Sequence, residues 1–192
     1  MRFILLFALL NFCTRDTQCT IDPLRLGKIP ANSCGKSMMG SPERGSITSG
    51  GVSVGEEDHI KPAVQALGEL NLWQLAIKPG KPFAYGRLPS AQGKCHFMGL
   101  PGNPVSSFVT FLLLVRPFLM KLQGVGNTAV PALQLPVHFD WPRADKRREF
   151  LRVRRNLAGG LDLFPNQSSG VLTSAVWGDG LVDNPPAQTI RH

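Results

Sequence analysis

The chain has 192 residues, of which 43% are hydrophobic and 18% are charged, so it can bury a core and is not compositionally disordered. Its 20 glycines and 16 prolines exclude a simple helical bundle and predict many turns between short elements. The net charge of +8 favours an anionic partner without choosing among nucleic acid, a membrane surface and a phosphorylated small molecule.

The N-terminus carries an almost unbroken apolar run over residues 3–12, behind a single arginine. This run resembles the hydrophobic part of a secretory signal, but no small-residue cleavage site follows it, and a bilayer span takes roughly 20 apolar residues. We therefore expect that it is not a signal peptide. An N-terminal strand and a stretch foreign to the fold are the open alternatives. The remainder of 1–45 has no sustained periodicity and is predicted to be irregular.

The four cysteines show no metal-binding or redox spacing. They form no C-x-x-C pair, and no histidine follows them at a zinc-finger distance. We expect free thiols, rather than a disulfide scaffold or a zinc site, at Cys13, Cys19, Cys34 and Cys95.

Order is predicted from residue 45 onward, beginning with a strand, a glycine-rich loop and a helix. The strand ends over 46–48, and residues 49–55 read Ser-Gly-Gly-Val-Ser-Val-Gly, followed by the acidic residues 56–58. A helix is then predicted from apolar residues at helical spacing, namely Ile60, Val64 and Leu67. Gly68 is suited to end it. The start of such a helix presents unpaired backbone N–H groups, so the loop is a candidate anion site, although similar loops occur without a ligand.

The next candidate for chemistry is a turn that carries two lysines. Strands are predicted over 72–77, 83–87 and 95–100. Between the first two, Lys-Pro-Gly-Lys-Pro at 78–82 fits a type II turn, since proline presets φ and glycine accepts a positive φ. A stiff turn with two ammonium groups suits an anion, but two merely solvated lysines would give the same sequence.

A second strand-to-helix connection reads Leu-Pro-Gly-Asn-Pro-Val-Ser at 100–106. Asn103 is suited to cap a helix and Pro104 to be its first residue. Apolar residues then predict a helix over 104–122 that is bent near Pro117 and buried, because its middle is apolar on all sides. Two basic residues interrupt the apolar run, which argues against a membrane span.

The last third of the chain predicts a separate, strand-rich unit. Short strands are predicted over 149–153, 161–164 and 171–172, with turn residues between them. A cluster rich in lysine and arginine covers 143–155. We interpret it as the solvated edge of a strand pair, in preference to a specific anion site.

Three motifs occur in series: Ser-Gly-Gly-Val-Ser-Val-Gly-Glu at 49–56, Ile-Lys-Pro-Gly-Lys-Pro at 77–82 and Leu-Pro-Gly-Asn-Pro-Val-Ser at 100–106. Together they resemble the molybdopterin molybdenumtransferase family, the MoeA and gephyrin-like proteins. The related molybdopterin adenylyltransferase shares the fold but has neither the second nor the third motif. The resemblance covers most of this chain and much less of a complete family protein.

The resemblance implies an α/β fold in two parts. Residues 46–125 would be the latter half of a MogA-like molybdopterin-binding α/β domain, and residues 126–192 a small β-barrel-like domain that lacks its last strand. Residues 1–45 match nothing in the family. We therefore expect a C-terminal fragment of a longer protein, a misassigned start or a defective gene copy.

The resemblance also implies an activity, the insertion of molybdate into adenylated molybdopterin with release of AMP and help from Mg²⁺. The catalytic residues would include Lys78 and Lys81, which hold molybdate or the phosphates. Asp58 would be catalytic too and, with Glu56, would bind Mg²⁺ or guide water, although Asp58 also fits a plain helix cap. The cofactor-binding residues implied are Ser49, Gly50, Gly51, Ser53, Gly55, Pro101, Gly102, Asn103 and Ser106.

Two other functions stay open. A non-catalytic module that binds molybdopterin or oligomerises would carry the same motifs without turnover. A nucleic-acid-binding protein would suit the positive charge, but no aromatic residues interleave the basic ones to stack on bases. We expect a cytoplasmic protein that is a homodimer as in the family, with neither nucleic acid nor a membrane as partner.

Overall fold

The computed structural model describes residues 2–5, 44–52, 60–90 and 93–192. Within them, the strands are β1 (Arg2–Leu5), β2 (Arg44–Ser49), β3 (Glu69–Gln74), β4 (Ile77–Lys78), β5 (Pro82–Ser90), β6 (Gly93–Leu100), β7 (Ala132–Gln134), β8 (Arg148–Arg155), β9 (Leu161–Leu163) and β10 (Gly180–Asn184). The α-helices are α1 (Ile60–Leu67), α2 (Pro104–Thr110), α3 (Arg116–Leu122) and α4 (Thr173–Trp177). A π-helical segment, Phe111–Val115, joins α2 to α3. The α/β class predicted from the sequence is confirmed.

A four-stranded sheet carries the glycine-rich loop and the start of the long helix. Its strand order is β2-β6-β5-β3. The β2–β6 pair is parallel, whereas β5 pairs antiparallel with both β6 and β3. The strand predicted over 72–77 starts earlier, at Glu69, because α1 ends at Leu67 and Gly68 leads directly into β3.

A second sheet has the order β4-β8-β10-β1-β7, with β9 paired to β8. The strand β1 lies inside it, antiparallel to both β10 and β7. The prediction that 1–45 is irregular is therefore wrong at Arg2–Leu5. There the alternative of an N-terminal strand is confirmed. Phe3 and Ile4 are 0% and 5% exposed, so burial of these two side chains fixes the strand. The pairings of the described strands form an open path, and a closed barrel is not confirmed.

The long helix, which we define as Pro104–Leu122, packs on both sheets. Val105 and Val109 belong to a core cluster shared with the six-stranded sheet. Val115 and Leu119 belong to another, shared with the four-stranded sheet. The predicted helix is therefore buried along the residues that face the two sheets and only partly buried elsewhere, and it joins both sheets through these core clusters.

The middle of the long helix departs from regular α geometry. The Arg116 N–H donates to the carbonyl of Phe111, five residues earlier, as a π-helix requires. This segment lies directly before Pro117, whose nitrogen cannot donate, and it takes the place of the predicted bend. With 19 residues and a mean hydropathy of 1.6, the helix is long and apolar enough to cross a membrane, contrary to the length argument from the sequence, but buried helices of globular cores have the same properties.

Two local predictions are wrong. Residues 171–172 are not a strand, because the carbonyls of Val171 and Leu172 accept the amides of Ser174 and Ala175 and so begin α4. Cys95 is disulfide-bonded instead of a free thiol, and its partner lies outside the described residues, as do the other three cysteines.

Candidate functional site

Two of the predicted motifs meet where β2 and β6 end. Ser49 lies opposite Leu100 in the parallel pair, so both strands release their loops at the same sheet edge. The Gly50 N–H donates to the carbonyl of Leu100 at 3.0 Å, and the Ser49 hydroxyl is 3.5 Å from the carbonyl of Pro101. The carboxyl ends of parallel strands are the common ligand position in open α/β sheets, and the sequence motifs occupy that position.

The glycine-rich loop depends on its second glycine. Gly50 and Gly51 have φ angles of 85° and 71°, which side chains rarely adopt. A Cβ on Gly51 would also lie 2.5 Å from Cδ1 of Ile60, the first residue of α1. Gly51 therefore lies against the first residue of α1, while the Ser49 side chain stays exposed.

Four of the predicted site residues lie outside the described part of the chain, namely Ser53, Gly55, Glu56 and Asp58. Their roles stay predictions. Among the described residues, no three histidine, cysteine, aspartate or glutamate side chains come together as a metal-ligand set.

The start of the long helix has an unexpected capping group. Asn103 precedes the helix, as predicted, but its side chain makes no capping hydrogen bond. The Val105 amide instead donates to the carbonyl of Ser169 at 3.1 Å. This carbonyl comes from a distant part of the chain, so local sequence did not reveal it. Gly102 and Asn103 stay exposed beside the glycine-rich loop, whereas Ser106 is buried in the first turn.

The lysine turn is fixed by contacts on both of its sides. Its strand β4 pairs in parallel with the start of β8, and Lys78 lies opposite Glu149. Gly80 has the positive φ predicted for it, 117°, and a Cβ there would lie 2.6 Å from Cγ2 of Thr110 on the long helix. The Lys78–Pro79 peptide is cis. The turn thus presents its two lysines differently: Lys78 is half-buried and Lys81 is exposed.

Lys78 is bound by two carboxylates. Its Nζ donates to Glu149 Oε1 at 3.1 Å and lies 3.1 Å from Asp145 Oδ2. Partial burial lowers the pKa of Lys78, but the hydrogen bonds and charges of Glu149 and Asp145 outweigh it and leave this pKa above its usual value. The Lys78 side chain is therefore a charged ammonium group at neutral pH.

A cavity of about 210 Å³ opens beside Lys78. The residues that line it are Lys78, Pro79, Trp141, Glu149, Phe150, Leu151, Arg152 and Gln167. We call it the Lys78–Arg152 cavity. It lies between the lysine turn and β8. Its wall is therefore formed by two separate parts of the chain, residues 78–79 and residues 141–167.

Arg152 is the charged group that defines this cavity. It is only 1% exposed, and its guanidinium donates to neutral oxygens alone: Ser174 Oγ at 3.2 Å and the carbonyls of Phe150 and Ser168 at 3.3 Å each. Among the described residues no carboxylate forms an ion pair with it. Burial lowers the pKa of Arg152 to about 10, so it is still charged at pH 7. A buried cation without a counter-ion is costly, and an anion in the cavity would offset that cost.

Residues 166–170 form a loop that ties Arg152 to the long helix. Gln167 Oε1 accepts the Arg152 amide at 2.9 Å, and Gln167 Nε2 donates to the Arg152 carbonyl at 3.0 Å. Ser168 accepts from the guanidinium, and the next residue, Ser169, caps Val105. One short loop therefore positions the buried cation and the start of the helix together.

The sequence interpretation missed Arg152. The sequence predicts a solvated edge for the basic cluster over 143–155, and this prediction holds for the exposed Arg154 and Arg155. A signal was available, since Arg152 stands directly between two apolar residues, Leu151 and Val153, of the strand. A charge in such a strand must find partners in the interior.

Two protein-family models match the chain. A probable molybdopterin binding domain matches residues 43–121, and the C-terminal region of MoeA (domain IV) matches residues 134–191. The first match contains Lys78 and the second contains Arg152. The cavity is therefore built from both.

Named relatives extend these matches. The chain is 59% identical over 78 residues to the molybdopterin molybdenumtransferase of Haemophilus influenzae, covering 41% of this chain and 18% of that protein. It is 37% identical over 150 residues to the molybdenum cofactor synthesis protein cinnamon of Drosophila melanogaster, covering 74% of this chain and 24% of that protein. A crystal structure of the molybdopterin biosynthesis MoeA protein from Pyrococcus horikoshii superposes with a TM-score of 0.57 and 28% identity, over 74% of this chain and 33% of that one. The chain thus spans a third or less of these relatives.

Proposed function

The chain belongs to the molybdopterin molybdenumtransferase family, and on that premise we propose that it acts in molybdenum cofactor biosynthesis by inserting molybdate into adenylated molybdopterin, with release of AMP. The observation that carries the proposal is Arg152, which is buried with no carboxylate partner among the described residues and lines a cavity together with Lys78. Molybdate is a compact oxyanion with two negative charges, and this cavity offers it two cations.

The charges of the cavity wall favour an anion. Two cations, Lys78 and Arg152, and one carboxylate, Glu149, line it. The second carboxylate beside Lys78, Asp145, is also paired with Arg147, so its charge is offset. A guanidinium has five N–H donors, and Arg152 uses three of them within the protein. The remaining donors and the Lys78 ammonium would be hydrogen-bonded by the oxygens of molybdate. The wall would thereby bind the oxyanion substrate and hold it in place.

We assign the pterin substrate to the two loops that follow β2 and β6. Ser49, Gly102 and Asn103 are exposed where two parallel strands end, and the start of the long helix connects them to the 166–170 loop. Backbone N–H groups at such an edge suit phosphate. We assign Ser53 and Gly55 to the same phosphate site, and Lys81 to the approach of anionic substrates. Ser106, which is buried in the first turn of the long helix, would stabilise the loop that precedes this helix.

Other parts of the proposal rest on the family resemblance alone. These are a role of Asp58 and Glu56 in binding Mg²⁺, assembly as a homodimer, and a cytoplasmic location without nucleic-acid or membrane partners. A steep loss of DNA affinity with added salt would revive the nucleic-acid alternative.

Turnover distinguishes an enzyme from a binding module. The full chain is mixed with adenylated molybdopterin and molybdate, and AMP is measured by chromatography. Molybdate-dependent release of AMP that falls in Lys78→Ala supports the proposal. Binding of molybdopterin without any release of AMP would support the non-catalytic module instead.

A further inference from the structure

Glu149 is the most constrained carboxylate around the cavity. Its side chain is 1% exposed and accepts three hydrogen bonds. Lys78 Nζ donates to Oε1 at 3.1 Å, while Trp141 Nε1 and Asn184 Nδ2 donate to Oε2 at 2.9 Å and 3.3 Å. Two of these donors are its direct neighbours across strands, Lys78 on β4 and Asn184 on β10. Three donors from three directions leave the carboxylate a single orientation.

Lys78 has no comparable constraint of its own. Its side chain is long and 43% exposed, and a free lysine side chain samples many rotamers. The second carboxylate beside it, Asp145, lies in the loop before β8 and already binds Arg147 through both oxygens, at 2.9 Å and 2.8 Å. Among the described residues, the charged groups around Lys78 are Glu149, Asp145 and, behind Asp145, Arg147. Of these, Glu149 is the rigid one.

We infer that Glu149 is a positioning residue that holds the Lys78 ammonium at the wall of the Lys78–Arg152 cavity, so that an oxyanion meets Lys78 and Arg152 at a fixed separation. This inference rests on the proposed function for its ligand. Glu149 does not itself bind the oxyanion, because like charges repel. It acts through Lys78.

A purely electrostatic role for Glu149 predicts the opposite change in the affinity of the cavity for an anion. If Glu149 only contributed negative charge to the cavity, its neutralisation would strengthen the binding of an anion. If it positions Lys78, its neutralisation weakens binding despite the more favourable net charge. The direction of the change in affinity therefore separates the two roles.

The first measurement is the affinity of the full chain for molybdate, by titration calorimetry. We expect Glu149→Gln to raise the Kd about tenfold, since small misplacements of a binding group have large effects. The control is Asp179→Asn, which removes the same charge from an exposed pair with Arg155 and should leave the Kd unchanged. An unchanged or lower Kd in Glu149→Gln would overturn the inference.

The second measurement needs no ligand. In ¹⁵N-labelled protein, ammonium protons held by a buried carboxylate exchange slowly with water, so Lys78 should give a resolved ammonium signal, unlike the exposed Lys81. The signal should persist in Asp145→Asn and be lost in Glu149→Gln. Loss in Asp145→Asn, or persistence in Glu149→Gln, contradicts the positioning role.

The two measurements separate the two proposals. If the wild-type chain binds no molybdate, the proposed function fails and the ammonium signal still decides the role of Glu149. If Glu149→Gln does not fold, the wild-type and Asp145→Asn spectra decide it, because the inference requires a slowly exchanging Lys78 in both.

Discussion

The guanidinium of Arg152 lies 3.3 Å from the carbonyl of Ser168, and this contact links a buried cation to the start of the long helix. The next carbonyl in the chain, that of Ser169, accepts the Val105 amide at 3.1 Å. The six-stranded sheet thereby supplies part of the site that forms at the edge of the four-stranded one. Neither the segment that matches the molybdopterin binding domain nor the segment that matches the MoeA C-terminal region would complete this arrangement alone.

Arg152→Met tests whether the buried charge serves binding at the expense of stability. Replacing a buried charge by an apolar side chain of similar size is often neutral or stabilising, so we expect the free energy of unfolding to change by less than about 1.5 kcal/mol. Hydrogen bonds to charged groups contribute about 1.5–3 kcal/mol, so the Kd for molybdate should rise about 10- to 100-fold.

The control for this variant is Arg154→Met, on the same strand. Arg154 is exposed, with its guanidinium 4.5 Å from the ring centroid of Trp177. Both the unfolding midpoint and the Kd should stay near the wild-type values there. Strong destabilisation of Arg152→Met with unchanged molybdate binding would mean that Arg152 is a structural residue.

Gly80→Ala tests the packing of the lysine turn against the long helix. The substitution forces a Cβ at a φ of 117° and at 2.6 Å from Thr110 Cγ2. We expect a loss of about 2 kcal/mol in the free energy of unfolding by urea. Gly124→Ala is the matched control, since Gly124 has a φ of 81° but nothing within 4 Å, and its loss should be about 1 kcal/mol or less. Equal losses would show that the contact with Thr110 is unimportant.

Stability should depend on pH through Asp145. Hydrogen bonds from the side chain and backbone of Arg147 hold the pKa of Asp145 well below its usual value of 3.8. Because the folded-state pKa is the lower one, the ionised carboxylate stabilises the fold above pH 3.8, and this contribution is lost as the pH falls toward the folded-state pKa. The difference in unfolding free energy between wild type and Asp145→Asn should therefore be constant near neutral pH and shrink below pH 3.8. A difference that grows in acid would reverse this assignment.

The two lysines of the turn should differ in salt dependence. Lys78 lines the cavity and Lys81 is exposed. Exposed charges are screened strongly at 1 M salt, where the Debye length is about 3 Å. We expect Lys81→Ala to weaken molybdate binding only in dilute buffer, and Lys78→Ala to weaken it at both salt concentrations. Calorimetric titrations at two salt concentrations check this, and identical salt profiles would contradict it.

Local signals predicted much of the fold. The glycine-rich loop, α1 and the long helix follow from glycine positions and apolar spacing. The position of β1 was not predictable in this way, because a short apolar strand at the N-terminus can pair with any open edge. Its partners β7 and β10 come more than a hundred residues later.

The candidate site was predictable only in part. Ser49, Gly102 and Lys78 were found from motifs, since each belongs to a turn with a characteristic sequence. Arg152 and Ser169 were not, because their roles depend on contacts made across the chain: a guanidinium carried into the interior by β8, and a carbonyl that caps a distant helix. Every residue has a backbone carbonyl, so residue types along the sequence do not identify which carbonyl caps a distant helix.

The most direct test of the account is to locate the oxyanion. Crystals of the full chain soaked in tungstate, a heavier analogue of molybdate, would show it by anomalous diffraction. We expect a peak in the Lys78–Arg152 cavity, placed so that tungstate oxygens lie within hydrogen-bond distance, about 3.5 Å or less, of both the Lys78 ammonium and the Arg152 guanidinium. A peak confined to the Ser49–Gly51 loop, or a Lys78–Arg152 cavity without any anomalous density at saturating tungstate, would contradict it.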